Sequence, residues 1–120
     1  MSTRSFIGKL NADGSVSGIY CHFDGYPQHH EPLLKNYDTK DKVEKLLALS
    51  SLSSLGSEIG EKQDFDNPTN NNWCLAYHRD RGEELEELMH YDSQDTMMSS
   101  ISWANYAYLF DGTNWKTLKV

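Results

Sequence analysis

Of the three Asp-Gly dipeptides, Asp13-Gly14 and Asp111-Gly112 stand near opposite ends of the chain, each between runs rich in strand-forming residues. Ser5-Phe6-Ile7-Gly8-Lys9-Leu10 and Val16 to Phe23 flank the first, and Tyr106 to Phe110 and Trp115 to Val120 flank the second. Asp-Gly readily supplies the positive backbone angles of a tight turn, and alternation with a period of two marks strands whose faces meet different surroundings. A β-hairpin is therefore predicted at each end. In the second strand Ile19, Cys21 and Phe23 alternate with Tyr20 and His22, which puts Tyr20 and His22 on one face. A chain of 120 residues is the size of one domain, so the two hairpins must share a core.

Between the hairpins the periodicity changes. His29 to Tyr37 is compatible with a short helix carrying Pro32 in its first turn. Asp38 or Thr39 can cap a better helix in which Val43, Leu46, Leu47 and Leu49 form an apolar stripe. Leu49, Leu52 and Leu55 recur every third residue, a spacing that suits a short 3₁₀ turn or a frayed helical end, with Gly56 as its terminator. Residues 57–72, with the polar run Asn67 to Asn72, read as the longest loop, and Trp73 to His78 as a buried strand. Glu83 to Tyr91, with Leu85, Leu88 and Met89 at helical spacing, reads as a short acidic helix, and Asp92 to Ser102 has no clear period. The expectation is a single α+β domain over residues 1–120. It is an antiparallel sheet built from the two hairpins plus a central strand, with two or three short helices packed on one face.

Charge narrows the choice of partners. Eleven Lys and Arg against eighteen Asp and Glu give a net charge of -7, which opposes general affinity for nucleic-acid backbones. Residues 58–95 hold eleven of the acids and only Lys62, Arg79 and Arg81 as bases, while the remainder is close to neutral. No run approaches the roughly 20 apolar residues of a membrane-spanning helix, and Met1-Ser2-Thr3-Arg4 lacks the apolar stretch of a secretory leader. A cytoplasmic protein without membrane contact is expected, one whose composition is compatible with an oligomer, and its two cysteines, Cys21 and Cys74, should stay thiols.

Reactive side chains are densest from Cys21 to Glu31, yet neither Cys-x-x-Cys nor His-Glu-x-x-His occurs, and strand geometry sends Cys21 and His22 to opposite faces. Neither a metal nor a cofactor is predicted, and no catalytic residue is assigned. The phosphate-binding glycine motifs are also absent. Two surfaces remain as candidates. In the first, Asp80, Glu83, Glu84, Glu86 and Glu87 meet a basic partner, with Tyr91 or Trp103 as an anchor. In the second, Tyr20, His22, Asp24, Tyr26, Arg79 and Arg81 line a pocket for a nucleotide, the arginines gripping phosphate. A third reading, an enzyme using His22 and Asp24 as acid and base, has no visible orienting group to support it.

Four segments occur together in a way that carries a resemblance: Ser5-Phe6-Ile7-Gly8, Ile19-Tyr20-Cys21-His22-Phe23-Asp24-Gly25-Tyr26-Pro27, Ser53-Ser54-Leu55-Gly56 and Tyr77-His78-Arg79-Asp80-Arg81-Gly82-Glu83. With the closing Tyr106 to Phe110 strand they resemble a family of small proteins encoded by tailed bacteriophages and prophages, to which no reaction is assigned. Members of that family often carry Trp where this chain has Phe23, and continue differently at Gln28-His29-His30-Glu31. The resemblance implies a setting: a non-enzymatic accessory protein in the cytoplasm of a bacterial host, acting on a host protein in anti-defence or host takeover. Sequestration of a nucleotide messenger of host immunity is the alternative.

Overall fold

The computed structural model describes residues 3–68 and 70–120, so Met1, Ser2 and Thr69 of the long loop lie outside it. Both hairpins are present. β1 (Ser5–Leu10) and β2 (Val16–Cys21) pair antiparallel from Ser5↔Cys21 to Leu10↔Val16, and β6 (Tyr106–Phe110) and β7 (Trp115–Lys119) pair from Tyr106↔Lys119 to Phe110↔Trp115. Each turn is held by its aspartate. Asp13 Oδ1 accepts from the Ser15 N–H and hydroxyl at 3.0 and 2.6 Å, and Asp111 Oδ1 from the Thr113 and Asn114 N–H groups at 2.9 and 2.7 Å. These bonds favour the ionised form and hold both carboxyls below their usual range. Gly14 and Gly112 take φ of 90° and 103°, the left-handed angles that make glycine the fitting residue there.

The α+β class holds, but the sheet is mixed rather than antiparallel. β1 and β6 run parallel, Ile7 opposite Tyr108, and this pairing joins the two ends of the chain. With β3 (Leu52–Ser54), β4 (Leu75–Ala76) and β5 (Met89–Tyr91), the order is β4-β3-β2-β1-β6-β7, and β5 lies beside β2. β3 falls where the leucine spacing suggested a 3₁₀ turn or a frayed helical end, because Leu52 pairs parallel with Cys21 and antiparallel with Ala76 of β4.

Helices cover both faces, not one. On the first face Ile7, Ile19, Cys21, Tyr108 and Phe110 pack with Leu34 of α1 (Pro27–Leu34) and with Val43, Leu46 and Leu47 of α2 (Lys40–Leu47). On the second, Phe6, Val16, Ala107 and Leu109 pack with Met97 of α4 (Gln94–Ser100) and with Ile101. The pleat explains the division, since neighbours such as Phe6 and Ile7 point to opposite sides. Phe6 lies across Gly8 and Gly18, where a Cβ would stand 2.7 and 2.5 Å from its ring atoms. Thr39 caps α2, accepting from the Lys42 N–H at 3.2 Å. α1 begins two residues earlier than expected, so Pro27 rather than Pro32 occupies its first turn.

Two expectations about the acidic sector need correction. Trp73 to His78 is not a continuous strand: after β4 the chain turns into α3 (Tyr77–Arg81), because Asp80 Oδ2 accepts from the Ala76 N–H at 2.8 Å and ties the start of the helix to its interior. Glu83 to Tyr91 is not a helix. Gly82 ends α3 at φ 79°, residues 83–88 carry no regular structure, and Met89–Tyr91 extends to pair with Val16–Gly18. In a helix Glu83 and Glu87 would lie four residues apart, and Glu83/Glu86 and Glu84/Glu87 three apart, with no intervening base to offset the repulsion. The stretch that lacked a period contains α4, which Ser93 caps through the Thr96 N–H at 3.1 Å. Among the described residues no helix is long and apolar enough to cross a membrane.

Candidate functional site

The sheet forks along the outer edge of β2. Val16–Gly18 pair with β5, Cys21 pairs with Leu52 of β3, and Ile19 and Tyr20 fall between these partners. The fork opens a cleft of about 520 Å³. β2 contributes Gly18, Ile19 and Tyr20; α3 contributes Tyr77, His78 and Arg81; Ser50 and Ser51 come from the segment after α2, and Met89 and Trp103 from either side of α4. Glu83, Glu84, Glu86 and Glu87 line it from the irregular segment that joins α3 to β5.

Its aromatic side is ordered by contacts along β2. The Tyr20 and Trp103 rings lie 5.3 Å apart at 58°, His22 lies 5.8 Å from Tyr20, and Phe23 meets His22 edge-on at 4.4 Å. The Tyr20 hydroxyl and His22 Nδ1 share a short hydrogen bond, so His22 sets the tilt of the Tyr20 ring. Partial burial raises the Tyr20 hydroxyl pKa and keeps it protonated.

The acidic side is held open by its own backbone. Ser50 takes φ 62°, a left-handed conformation that costs a residue with a side chain about 1–2 kcal/mol. From there its hydroxyl donates to the Glu86 carbonyl at 3.0 Å, and the Ser51 hydroxyl donates to Glu86 Oε2 at 3.3 Å. Arg81 lies over the Phe65 and Tyr77 rings at 4.7 and 4.8 Å and pairs with Glu83. Among the described residues Glu84, Glu86 and Glu87 enter no ion pair. Three carboxylates beside the cleft therefore lack a matching cation among the described residues.

The residues expected to grip a nucleotide do not gather. Only Tyr20 and Arg81 of the six line this cleft. Arg79 faces inward, donating to Asp80, to the Ile59 carbonyl at 2.6 Å and to the Cys74 carbonyl at 2.7 Å. Asp24 takes φ 58° in the turn between β2 and α1, and the Tyr26 ring rests near His29 at 6.0 Å. The proposed partner-binding patch also changes membership. The Asp80 side chain is wholly buried and accepts from the Gln63 and Ala76 N–H groups, so it braces the fold. Tyr91 packs its ring against Phe6 at 6.0 Å and belongs with the second core cluster. Glu83, Glu84, Glu86, Glu87 and Trp103 remain together at the cleft.

Ser50 and Ser51 also line it, although no spacing in the sequence singled them out, and so does Met89, which the sequence pattern had placed on the apolar stripe of a helix. Tyr77 and His78 had a signal, standing directly before Arg79-Asp80-Arg81. Both cysteines and His30 are enclosed. Burial pushes the Cys21 thiol up to about 12 and raises that of Cys74, so neither is a thiolate at neutral pH. His30 is buried against Ser5 at 2.9 Å and His29 at 3.0 Å, and burial, with His29 adding to it, lowers its pKa to about 3. Among the described residues no group of three or more His, Cys, Asp or Glu is placed to hold a metal ion. Comparison of the chain with protein-family models, curated proteins and solved structures finds no match.

Proposed function

We propose that this chain is a non-enzymatic phage accessory protein that binds a host protein in the bacterial cytoplasm, through the acidic cleft at the sheet fork, in anti-defence or host takeover. The observation that carries the binding reading is the set Glu84, Glu86 and Glu87, which have no ion-pair partner among the described residues and border a cleft lined by Tyr20, Tyr77 and Trp103. Carboxylates in that position attract a basic segment over distance and speed encounter, while the aromatic rings supply the area that holds it after contact. The phage setting rests on the sequence resemblance alone.

Nucleotide capture has weaker support, because Arg79 is committed to the interior and Arg81 to Glu83, and the remaining carboxylates repel phosphate. The test is native mass spectrometry of tagged protein purified at low salt from a bacterial host, beside the triple variant Glu84→Lys, Glu86→Lys, Glu87→Lys. The wild type should carry a host protein at fixed stoichiometry and the variant should lose it. A wild type that carries none, or a variant that keeps its partner, would sink the reading.

A further inference from the structure

We infer that the cleft selects an arginine side chain of its partner over a lysine, an inference that rests on reading the cleft as a protein-binding site. Two features of the cleft bear on the choice of cation. Its aromatic pair, Tyr20 and Trp103, lines it with rings 5.3 Å apart, and the segment holding Glu84, Glu86 and Glu87 offers carboxylates that lack an ion-pair partner among the described residues. A guanidinium is flat and weakly hydrated: it stacks on a ring while sending its N–H groups outward in its own plane to carboxylates. An ammonium is a compact, strongly hydrated point charge that gains less from the same surroundings.

The chain itself displays the arrangement. Arg81 stacks over the Phe65 and Tyr77 rings and pairs with Glu83 at the edge of this cleft, so ring and carboxylate already bind one guanidinium together. That pairing leaves Glu84, Glu86 and Glu87 for an incoming group. Preparation of the site also favours a planar guest. Tyr20 contacts Trp103 through its ring and His22 through its hydroxyl, and Ser51 bonds Glu86, so these side chains have less freedom to lose on binding. The matching partner surface is a segment that projects arginine from a basic neighbourhood, because charge complementarity brings it in and the rings discriminate after arrival.

Calorimetric titration of the whole protein with two N-acetylated, C-amidated probes, hexa-arginine and hexa-lysine, separates these contributions at low ionic strength. One hexa-arginine should bind per chain at least about tenfold more tightly than hexa-lysine. Trp103→Leu should abolish that preference and Trp103→Phe should keep most of it. The double variant Glu84→Gln, Glu87→Gln changes only exposed side chains, so its fold is not at stake, and it should weaken both peptides together. Equal affinities for the two peptides would overturn arginine selection while leaving capture of basic segments standing. Failure of both to bind would overturn both readings. A salt-sensitive dimer of the protein alone, competing with either peptide, would assign the cleft to a second copy and overturn the inference.

Discussion

Arg79 and Arg81 stand two residues apart on the same five-residue helix, and their surroundings differ in nearly every respect. Arg79 is turned into the fold, where it pairs with a fully buried Asp80 and donates to two main-chain carbonyls, that of Cys74 just before β4 and that of Ile59 in the long loop. Arg81 is half exposed, stacks on two rings and pairs with Glu83 beside the cleft. The same side chain thus joins β4 to the long loop in one place and borders the cleft in the other. α3 divides the interior from the cleft, and a single turn of helix is enough to do it.

The largest effect should come from the inner side. Arg79→Ala leaves the Asp80 carboxylate buried without its cation, a defect that typically costs about 3–5 kcal/mol, and urea unfolding should report a loss of that order. A loss below about 1 kcal/mol would erase the contrast with Arg81. Next comes pH. His30 is held neutral with its folded pKa lowered to about 3, below the ordinary value of 6.5, so the unfolded chain binds a proton that the folded one refuses. Its stabilising contribution is complete above pH 6.5 and declines as the pH falls toward 3, by about 1.4 kcal/mol per unit once well below 6.5. Denaturation curves at pH 7.5 and 5 should show this decline, and His30→Asn should flatten it; an unchanged slope would remove His30 from the buried set. The smallest effect belongs to Arg81→Ala, which breaks an exposed pair and should shift the unfolding free energy by less than about 1 kcal/mol. A shift as large as that of Arg79→Ala would show that α3 has no recognition side at all.

How far the sequence could be read follows from the range of the interactions. The hairpins were legible because Asp13 and Asp111 bond to N–H groups two or three residues away, and α2 because Thr39 caps it locally and its leucines repeat with the helical period. The helix expected over Glu83 to Tyr91 does not form. Its leucine spacing was a true local signal, but a hydrogen bond from Ser50 and the pairing of β5 with β2 overrode it from more than thirty residues away. Part of the candidate site was legible as composition, since the acidic sector and Trp103 were picked out, whereas Ser50 and Ser51 carried no chemistry at a telling spacing.

The sequence by itself determined the two hairpins, the capped helix α2, the α+β class and the concentration of negative charge in residues 58–95. Each of these depends on neighbours a few residues apart or on composition. Only the tertiary structure decided that β1 and β6 run parallel, that helices cover both faces, that Asp80 and Arg79 turn inward, and that β2 divides its edge between β3 and β5. Those choices balance the burial of side chains far apart in the chain against the loss of chain entropy in bringing them together, a balance that no local spacing encodes.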